Sequence, residues 1–345
     1  MIINTDQSYA ALALRLAING AHELSEAENI DWERLLRVSR SNRLLLRVAD
    51  WLQARAVRPS PDFADAVLRE RQRVEAQLEL IDRIGGVCAE RGIDFIFPKA
   101  FQHYPDSGSD IDMFVPSHSR GVDRLIVERF NAHPEKRGLY HRVGGTANYR
   151  IDGYGSTLEI HHGRLGRFGE TDSYVSTLIE NGTQIELGGK RFLSPSAEDN
   201  IVLHGMLRVY GRLYVRLSDI ASTISLVRRG DLDWDYIVTT SRQFGSFHGL
   251  CSFLSFADQI HLEVFGNRLT DYDQRMRNIS KGWGRVEFKD GFYRFPVVKT
   301  IGRIYFNKFK VALLSGDFAS ASRLTLLPLA AASTALRKIM RIVLG

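Results

Sequence analysis

The segment PKAFQHYPDSGSDIDMFVP, residues Pro98–Pro116, determines how the chain is interpreted, because it places two aspartates inside an apolar run. Side chains two positions apart on a strand point to the same face, so Asp110 and Asp112 are neighbours while Ile111 and Met113 face the core. Two unpaired carboxylates this close repel each other, and one of them would have to hold a proton. A divalent cation removes that repulsion, and Mg²⁺ commonly takes one or two carboxylates, with water and substrate phosphate completing its shell. The pattern therefore predicts a Mg²⁺ site on this strand.

The residues around this strand favour the metal interpretation over a solvated strand edge, which is the common meaning of an isolated Asp-x-Asp pattern. A predicted strand over residues 93–97 leads to Lys99 and Ala100, where a cation and open backbone N–H groups can meet phosphate oxygens. Glu159, within LEIHHG on another predicted strand, supplies a third carboxylate. Three acids on adjacent strands are typical of a two-metal site for in-line attack on a phosphate. His161 shares the face of Glu159, and either contacts the metal shell, acts as a base on an acceptor hydroxyl, or orients Glu159.

Several motifs follow one known pattern in order along the chain: Lys99-Ala100, Tyr104-Pro105, Ser109 to Val115 (SDIDMFV), Glu159-Ile160-His161, Leu203-His204 and Arg216 to Ile220 (RLSDI). Over residues 65–230 they resemble the nucleotidyltransferase superfamily with the polymerase-beta-like fold. More narrowly, they are similar to an uncharacterised bacterial nucleotidyltransferase family. The resemblance implies Mg²⁺-dependent transfer of a nucleoside monophosphate from a nucleoside triphosphate to an acceptor hydroxyl, with release of pyrophosphate.

The resemblance also implies a role for each residue of the site. The implied catalytic residues, which would also bind two Mg²⁺ ions or Mn²⁺ in their place, are Asp110, Asp112 and Glu159. The implied nucleotide-binding residues are Lys99, Ala100 and Ser109. His161 and Asp219 are the candidates to position these groups, and the alternative for Asp219 is to cap its helix or to pair with Arg216 or Arg212.

Two departures from the family pattern keep a second interpretation open. Ala100 stands where the superfamily has a glycine, so the backbone is less free to approach a phosphate. The family often has an arginine just before the SDID strand, whereas residues 101–109 contain none. The alternative is a catalytically inactive module that binds nucleotide or RNA through a degenerate nucleotidyltransferase core.

The periodicity of the chain predicts an α+β fold in three parts. Residues 1–91 show apolar residues at helical spacing and form an N-terminal helical region. Residues 92–194 contain short apolar strands, a helix and two glycine-centred hairpins, and form a small mixed-sheet nucleotidyltransferase core. Residues 195–345 return to helical spacing and form a C-terminal helical region with a basic tail.

The composition is that of a globular protein, with 44% hydrophobic and 25% charged residues among 345. Its two cysteines, Cys88 and Cys251, favour a reducing cytoplasm over a disulfide framework. The N-terminus lacks the pattern of a signal peptide, because Asp6 replaces a basic lead and Arg15 interrupts the apolar run. The apolar stretch 324–336 is too short to span a bilayer. The expectation is a cytoplasmic protein without a transmembrane segment.

The net charge of +6 is concentrated at the C-terminus, where residues 291–345 carry nine basic side chains and one acidic side chain. A basic segment of this kind indicates an anionic partner, such as an RNA acceptor, a phosphorylated small molecule or a membrane surface bound peripherally. Solvated helix faces explain the same charges equally well. The identities of the triphosphate and of the acceptor therefore stay open at this point.

Overall fold

A computed structural model describes residues 5–18, 30–119, 121–166, 169–172, 174–209, 214–269, 272–279, 283–296 and 302–326. The N-terminal region consists of helices α1 (Asp6–Ala17), α2 (Trp32–Ser41), α3 (Leu45–Ala54) and α4 (Pro61–Glu90). The long helix α4 begins after Ser60, whose side chain accepts a hydrogen bond from the Phe63 N–H, and has proline at its first position. It ends before Gly92, whose φ of +62° continues the chain in the left-handed region.

The central sheet has four strands: β1 (Asp110–Val115), β2 (Ala132–Pro134), β3 (Thr146–Ile151) and β4 (Thr157–His162). Their spatial order is β1-β4-β3-β2, with β1 parallel to β4 and the other two pairs antiparallel. The predicted hairpin of β3 and β4 is confirmed. The strand predicted over 93–97 is reduced to a single antiparallel bridge between Ile96 and Phe114, on the other edge of β1.

The remaining elements of the core surround this sheet. They are α5 (Val122–Phe130), α6 (Leu139–Gly144), β5 (Arg164–Leu165), β6 (Thr171–Asp172), α7 (Tyr174–Glu180), β7 (Thr183–Leu187) and β8 (Lys190–Ser194). Strands β7 and β8 form the second predicted hairpin, and Lys190 pairs with Asp82 of α4 at 2.9 Å. The hairpin is thereby fixed against the long N-terminal helix.

The C-terminal region is built from helices α8 (Ala197–His204), α9 (Leu217–Arg229), α10 (Trp234–Gln243), α11 (Phe247–Phe265), α12 (Gln274–Ile279), α13 (Gly302–Leu314) and α14 (Phe318–Leu324). Helix α8 continues into a π-helical turn, Gly205–Val209, and short strands β9 (Tyr214–Val215), β10 (Glu287–Lys289) and β11 (Phe292–Arg294) form a small sheet. Helix α9 follows directly after β9, whose residues Tyr214 and Val215 pair with β11.

Two hydrophobic clusters lie on opposite faces of the sheet. Ile111, Met113 and Val115 of β1 belong to a cluster that includes residues of α4 and α5, whereas Phe114 belongs to a larger cluster formed mainly by helices. That larger cluster joins α1 to α3 with α8, α9 and α11. The predicted α+β fold is confirmed. The division into three parts at residues 91 and 194 stays a prediction, and the outer helical regions share one core.

Candidate active site

The register of β1 and β4 brings the predicted acids onto neighbouring strands. In the parallel pairing, Asp110 lies opposite Thr157 and Asp112 lies opposite Glu159. Because residues at i and i+2 of a strand share a face, both aspartates and Glu159 project from the sheet face opposite the one that packs on α4. Adjacent strands are about 4.8 Å apart, so the pairing places two carboxylates within reach of one cation.

One group of potential metal ligands is found among the described residues, and it consists of Asp112, Glu159 and His161. One ligand atom from each lies within 4.8 Å of the other two. His161 Nε2 is 3.2 Å from Asp112 Oδ1 and 3.8 Å from Glu159 Oε2. Asp112 and His161 are buried, and the side chain of Glu159 is 28% exposed. The group is therefore an enclosed site with one side open to solvent.

Lys99 supplies positive charge to this group. Its Nζ lies 2.5 Å from Asp112 Oδ1, so the ammonium contacts the carboxylate rather than open solvent. Burial by itself would raise the pKa of Asp112, but Lys99 and the hydrogen bond from His161 outweigh it and hold that pKa well below its usual range. Asp112 is therefore an anion at neutral pH, and the Lys99 ammonium neutralises it.

Three other predicted residues lie outside the group of ligands. Ser109 and Asp110 are exposed at the start of β1, and Asp110 does not join the cluster formed by Asp112, Glu159 and His161. Ala100 is half-buried and packs against the apolar cluster beneath the sheet. The structure thus brings together two of the three predicted acids with His161, and leaves the first aspartate at the rim.

The turn before β1 is held by side chains of α4 that sequence reasoning missed. Arg73 donates to the Gly108 carbonyl at 2.6 Å and to the Ser107 carbonyl at 3.2 Å. Gln77, which is buried, donates to Gly108 O at 2.8 Å and to Ser156 Oγ at 2.6 Å. Gln77 thus bridges the residues that precede β1 and β4, whose pairing brings Asp112 beside Glu159.

Arginines reach this turn from other elements, although the loop itself has none. Besides Arg73, the guanidinium of Arg43 packs so closely on Gly108 that a Cβ there would lie 2.8 Å from its Nη1. A larger side chain at Gly108 would have to displace this guanidinium. The only sequence signal for this arrangement was the small residue itself, because Arg43 and Arg73 are far from Gly108 along the chain.

Asp219 is placed in a separate buried network and not beside the ligand group. Its Oδ1 lies 2.8 Å from Arg208 Nη2 and 3.0 Å from His103 Nε2, and its Oδ2 accepts the Arg216 N–H at 3.2 Å. Burial would raise the pKa of Asp219, but Arg208 and His103 hold it well below the usual range. Burial lowers the pKa of His103 to about 4, so its imidazole is neutral at physiological pH. This network joins the loop after Lys99 to α9.

Asp106 caps a helix that is distant in sequence. Its two carboxylate oxygens accept the backbone N–H groups of Leu46 at 2.8 Å and of Arg47 at 3.2 Å, in the first turn of α3. Asp106 is buried, and burial raises the pKa of its carboxyl to about 6. The loop between Lys99 and β1 is therefore anchored at His103 and at Asp106, which limits how far Lys99 can move.

The basic C-terminal residues that the structure describes mostly make contacts within the chain. Lys308 is buried, with its Nζ 2.9 Å from Thr171 Oγ1 and 3.8 Å from Glu170 Oε1. Arg323 donates to the Gly169 carbonyl at 2.7 Å. Lys310 is exposed. The predicted residues of the basic tail Lys299, Arg337, Lys338 and Arg341 lie outside the described residues.

Comparisons with known proteins identify the family of the chain. The model of a family described as an uncharacterised nucleotidyltransferase matches residues 28–261, a span that contains Lys99, Asp112, Glu159 and His161. A search of curated proteins finds no match. Among the described residues, none of the helices combines the length and the hydropathy that a bilayer crossing requires.

Proposed function

The chain belongs to an uncharacterised nucleotidyltransferase family, and from this premise we propose that it transfers a nucleoside monophosphate from a nucleoside triphosphate to an acceptor hydroxyl. The single observation that carries the proposal is the convergence of Asp112, Glu159 and His161, with Lys99 beside them, on one face of the sheet. Phosphoryl-type transfers depend mainly on positioning and on neutralising charge, and this group offers both.

The residues of the group fit a divalent cation. Asp112 is a buried anion, and a metal ion that replaced the Lys99 ammonium beside it would neutralise the same charge. Two carboxylates and one imidazole nitrogen are a donor set that Mn²⁺ accepts readily, whereas Mg²⁺ prefers oxygen alone. We therefore propose Mn²⁺ or Mg²⁺ at Asp112, Glu159 and His161, with Mn²⁺ bound more tightly. When bound there, the ion would supply charge neutralisation to the triphosphate.

The other residues of the site are proposed to bind and position the nucleotide. Asp110 and Ser109, both exposed at the start of β1, are accessible to a triphosphate and to a second cation bound with it. Lys99 is proposed to neutralise phosphate oxygens of the nucleotide. To do so, its ammonium would leave Asp112 and contact the phosphate instead. The rigid turn held by Arg73 and Gln77 keeps the start of β1 in place during this exchange.

The alternative, an inactive binding module, is favoured by one specific observation. The Lys99 ammonium lies against Asp112 as a cation would, and a lysine that stays there would compete with a metal ion for the same oxygen. Such a module would bind nucleotide or RNA without transferring a nucleotide. The two candidates differ in whether product forms and in whether a divalent ion binds.

The experiment that tests the proposal incubates the chain with each α-³²P-labelled nucleoside triphosphate, Mn²⁺ or Mg²⁺, and bacterial extract. Label is expected on RNA, protein or a small molecule, and it is expected to disappear in Asp112→Asn. The matched control is Asp152→Asn, an exposed aspartate of the same core, which is expected to keep the activity. Nucleotide binding without any transferred label, in protein that binds no divalent ion, would establish the inactive module instead.

A further inference from the structure

Large apolar side chains are exposed together where helix α13 turns into α14. Leu314 is 78% exposed, Phe318 71%, Phe306 66% and Leu313 43%. Leu313 and Leu314 end α13, and Phe318 begins α14 after a turn of three residues. The other large apolar side chains that are exposed among the described residues lie singly in other parts of the chain. A cluster of exposed apolar side chains indicates an interaction surface, whereas single ones are common. These four residues are called the exposed patch.

The geometry of α13 turns this patch outward. At 3.6 residues per turn, Phe306, Lys310, Leu313 and Leu314 fall within about 100° of the helix circumference, and all four are exposed. Lys308 lies on the opposite side of the helix and is buried, with its Nζ 2.9 Å from Thr171 Oγ1 of β6. The buried side of α13 therefore packs on the rest of the chain, and the stripe that carries the patch faces solvent.

The surroundings of the patch are basic. Residues 291–345 carry nine basic side chains and one acidic side chain, and Lys310 lies within the exposed stripe. The one acid, Asp317, accepts the Ser320 N–H at 2.9 Å and so caps α14. The sequence that follows the described residues, 327–345, adds three further basic side chains and no acidic one: Arg337, Lys338 and Arg341.

The combination of exposed apolar and basic side chains favours a lipid surface over other partners. Leucine and phenylalanine side chains enter the boundary between headgroups and acyl chains, while lysine stays at the anionic headgroups. RNA would attract the same basic charges, but its bases stack on aromatic side chains and gain little from Leu313 and Leu314. A second copy of the chain would cover the patch but would bring like charges together.

We propose that the exposed patch binds the surface of an anionic phospholipid bilayer. The apolar side chains of the patch enter the acyl boundary, and Lys310 contacts headgroup phosphates. The contact is peripheral and reversible, because it depends on a few side chains rather than on a helix that crosses the bilayer. The proposal concerns where the chain is located and does not depend on nucleotide transfer.

The test is flotation of the full chain, without metal or nucleotide, with vesicles of phosphatidylcholine alone or mixed with phosphatidylglycerol. Binding to the mixed vesicles is expected, with weaker binding to phosphatidylcholine alone. Raising the salt concentration should weaken binding to the mixed vesicles, because salt screens the attraction between lysine and headgroup.

Variants at exposed positions test the two contributions separately. Leu314→Ser combined with Phe318→Ser should weaken binding to mixed vesicles at least about tenfold, because both side chains lose their transfer from water. The matched control Leu68→Ser changes a leucine of α4 that is 58% exposed, and should keep the binding. Lys310→Gln should weaken binding about fivefold, whereas Lys136→Gln removes the same charge from an exposed position of the core and should not.

Circular dichroism establishes that each variant is folded. The proposal is overturned if the unmodified chain does not bind the mixed vesicles, or if the double variant binds them as well as Leu68→Ser does. RNA binding that is lost in the double variant, without vesicle binding, would assign the patch to RNA instead. A dimer that dissociates in the double variant in light scattering, again without vesicle binding, would assign it to self-association.

Discussion

Replacing Asp219 by asparagine tests the buried network that connects the loop after Lys99 to α9. Asp219 is 1% exposed and Arg208 is 3% exposed, and their charged atoms are 2.8 Å apart. The variant keeps the volume of the side chain but removes its charge, which leaves the Arg208 guanidinium buried without a counter-ion. Breaking a buried pair in this way costs about 3–5 kcal/mol of unfolding free energy.

Urea unfolding followed by circular dichroism measures this loss. With a slope of about 3 kcal/mol per molar urea, the midpoint should fall by about 1–1.7 M. A double variant, Asp219→Leu with Arg208→Met, removes both charges and should recover most of the stability, because apolar replacements of a buried pair are often neutral. Asp231→Asn removes a carboxylate from the exposed pair with Arg229 and should leave the midpoint unchanged.

Binding of Mn²⁺ distinguishes two roles for Asp219. The structure places it in the buried network, whereas the sequence predicts that it supports the metal site. Asp219 lies in the network with Arg208 and His103 and not in the ligand group, so folded Asp219→Asn should bind Mn²⁺ as the unmodified chain does. A midpoint within about 0.2 M of the original, below the effect of one ordinary hydrogen bond, would refute the argument from burial. A large fall in Mn²⁺ affinity would instead place Asp219 in the metal site.

Three further predictions follow from the contacts described above. His161→Gln should weaken Mn²⁺ binding at least about tenfold, since a nitrogen ligand is lost, as measured from the free Mn²⁺ signal in electron paramagnetic resonance. Asp106→Ala should lower the unfolding free energy by about 1–2 kcal/mol in urea, because two N–H groups at the start of α3 lose their acceptors. Burial depresses the folded-state pKa of His204 to about 3 from 6.5, so the stability that depends on its neutral form is present above pH 6.5 and is lost as the pH falls toward 3. Unfolding of His204→Phe should therefore depend less on pH in that range.

Each of these predictions has a control variant, in which the same type of residue is replaced at an adjacent position or at an exposed one. His162→Gln changes the adjacent histidine, which contacts Asp123, and should not affect Mn²⁺ affinity. Asp94→Ala and His118→Phe alter exposed residues and should leave stability and its pH dependence unchanged. Equal effects in a variant and its control would contradict the contact on which that prediction depends.

Local periodicity allowed much of the fold to be predicted. The helices of residues 1–91, the hairpin of β3 and β4, and the hairpin of β7 and β8 depend on interactions between residues close in sequence. The strand over 93–97 was predicted too long, because its apolar residues serve packing and only Ile96 pairs with β1. A segment forms a strand only where another stretch of backbone lies beside it to share hydrogen bonds. Local composition does not specify which stretch that is.

Side chains two residues apart on a strand share a face, so the sequence alone places Asp110 with Asp112 on one face. By the same rule it places Glu159 and His161 on one face of their strand. Only the tertiary structure decided that Asp112, Glu159 and His161 form the group while Asp110 stays at the rim, because the pairing of β1 with β4 places Asp112 opposite Glu159 and Asp110 opposite Thr157. The network of Asp219 was likewise settled by packing, since His103 and Asp219 are more than a hundred residues apart in the chain. A local pattern fixes the direction of a side chain, whereas long-range packing determines which partner it meets.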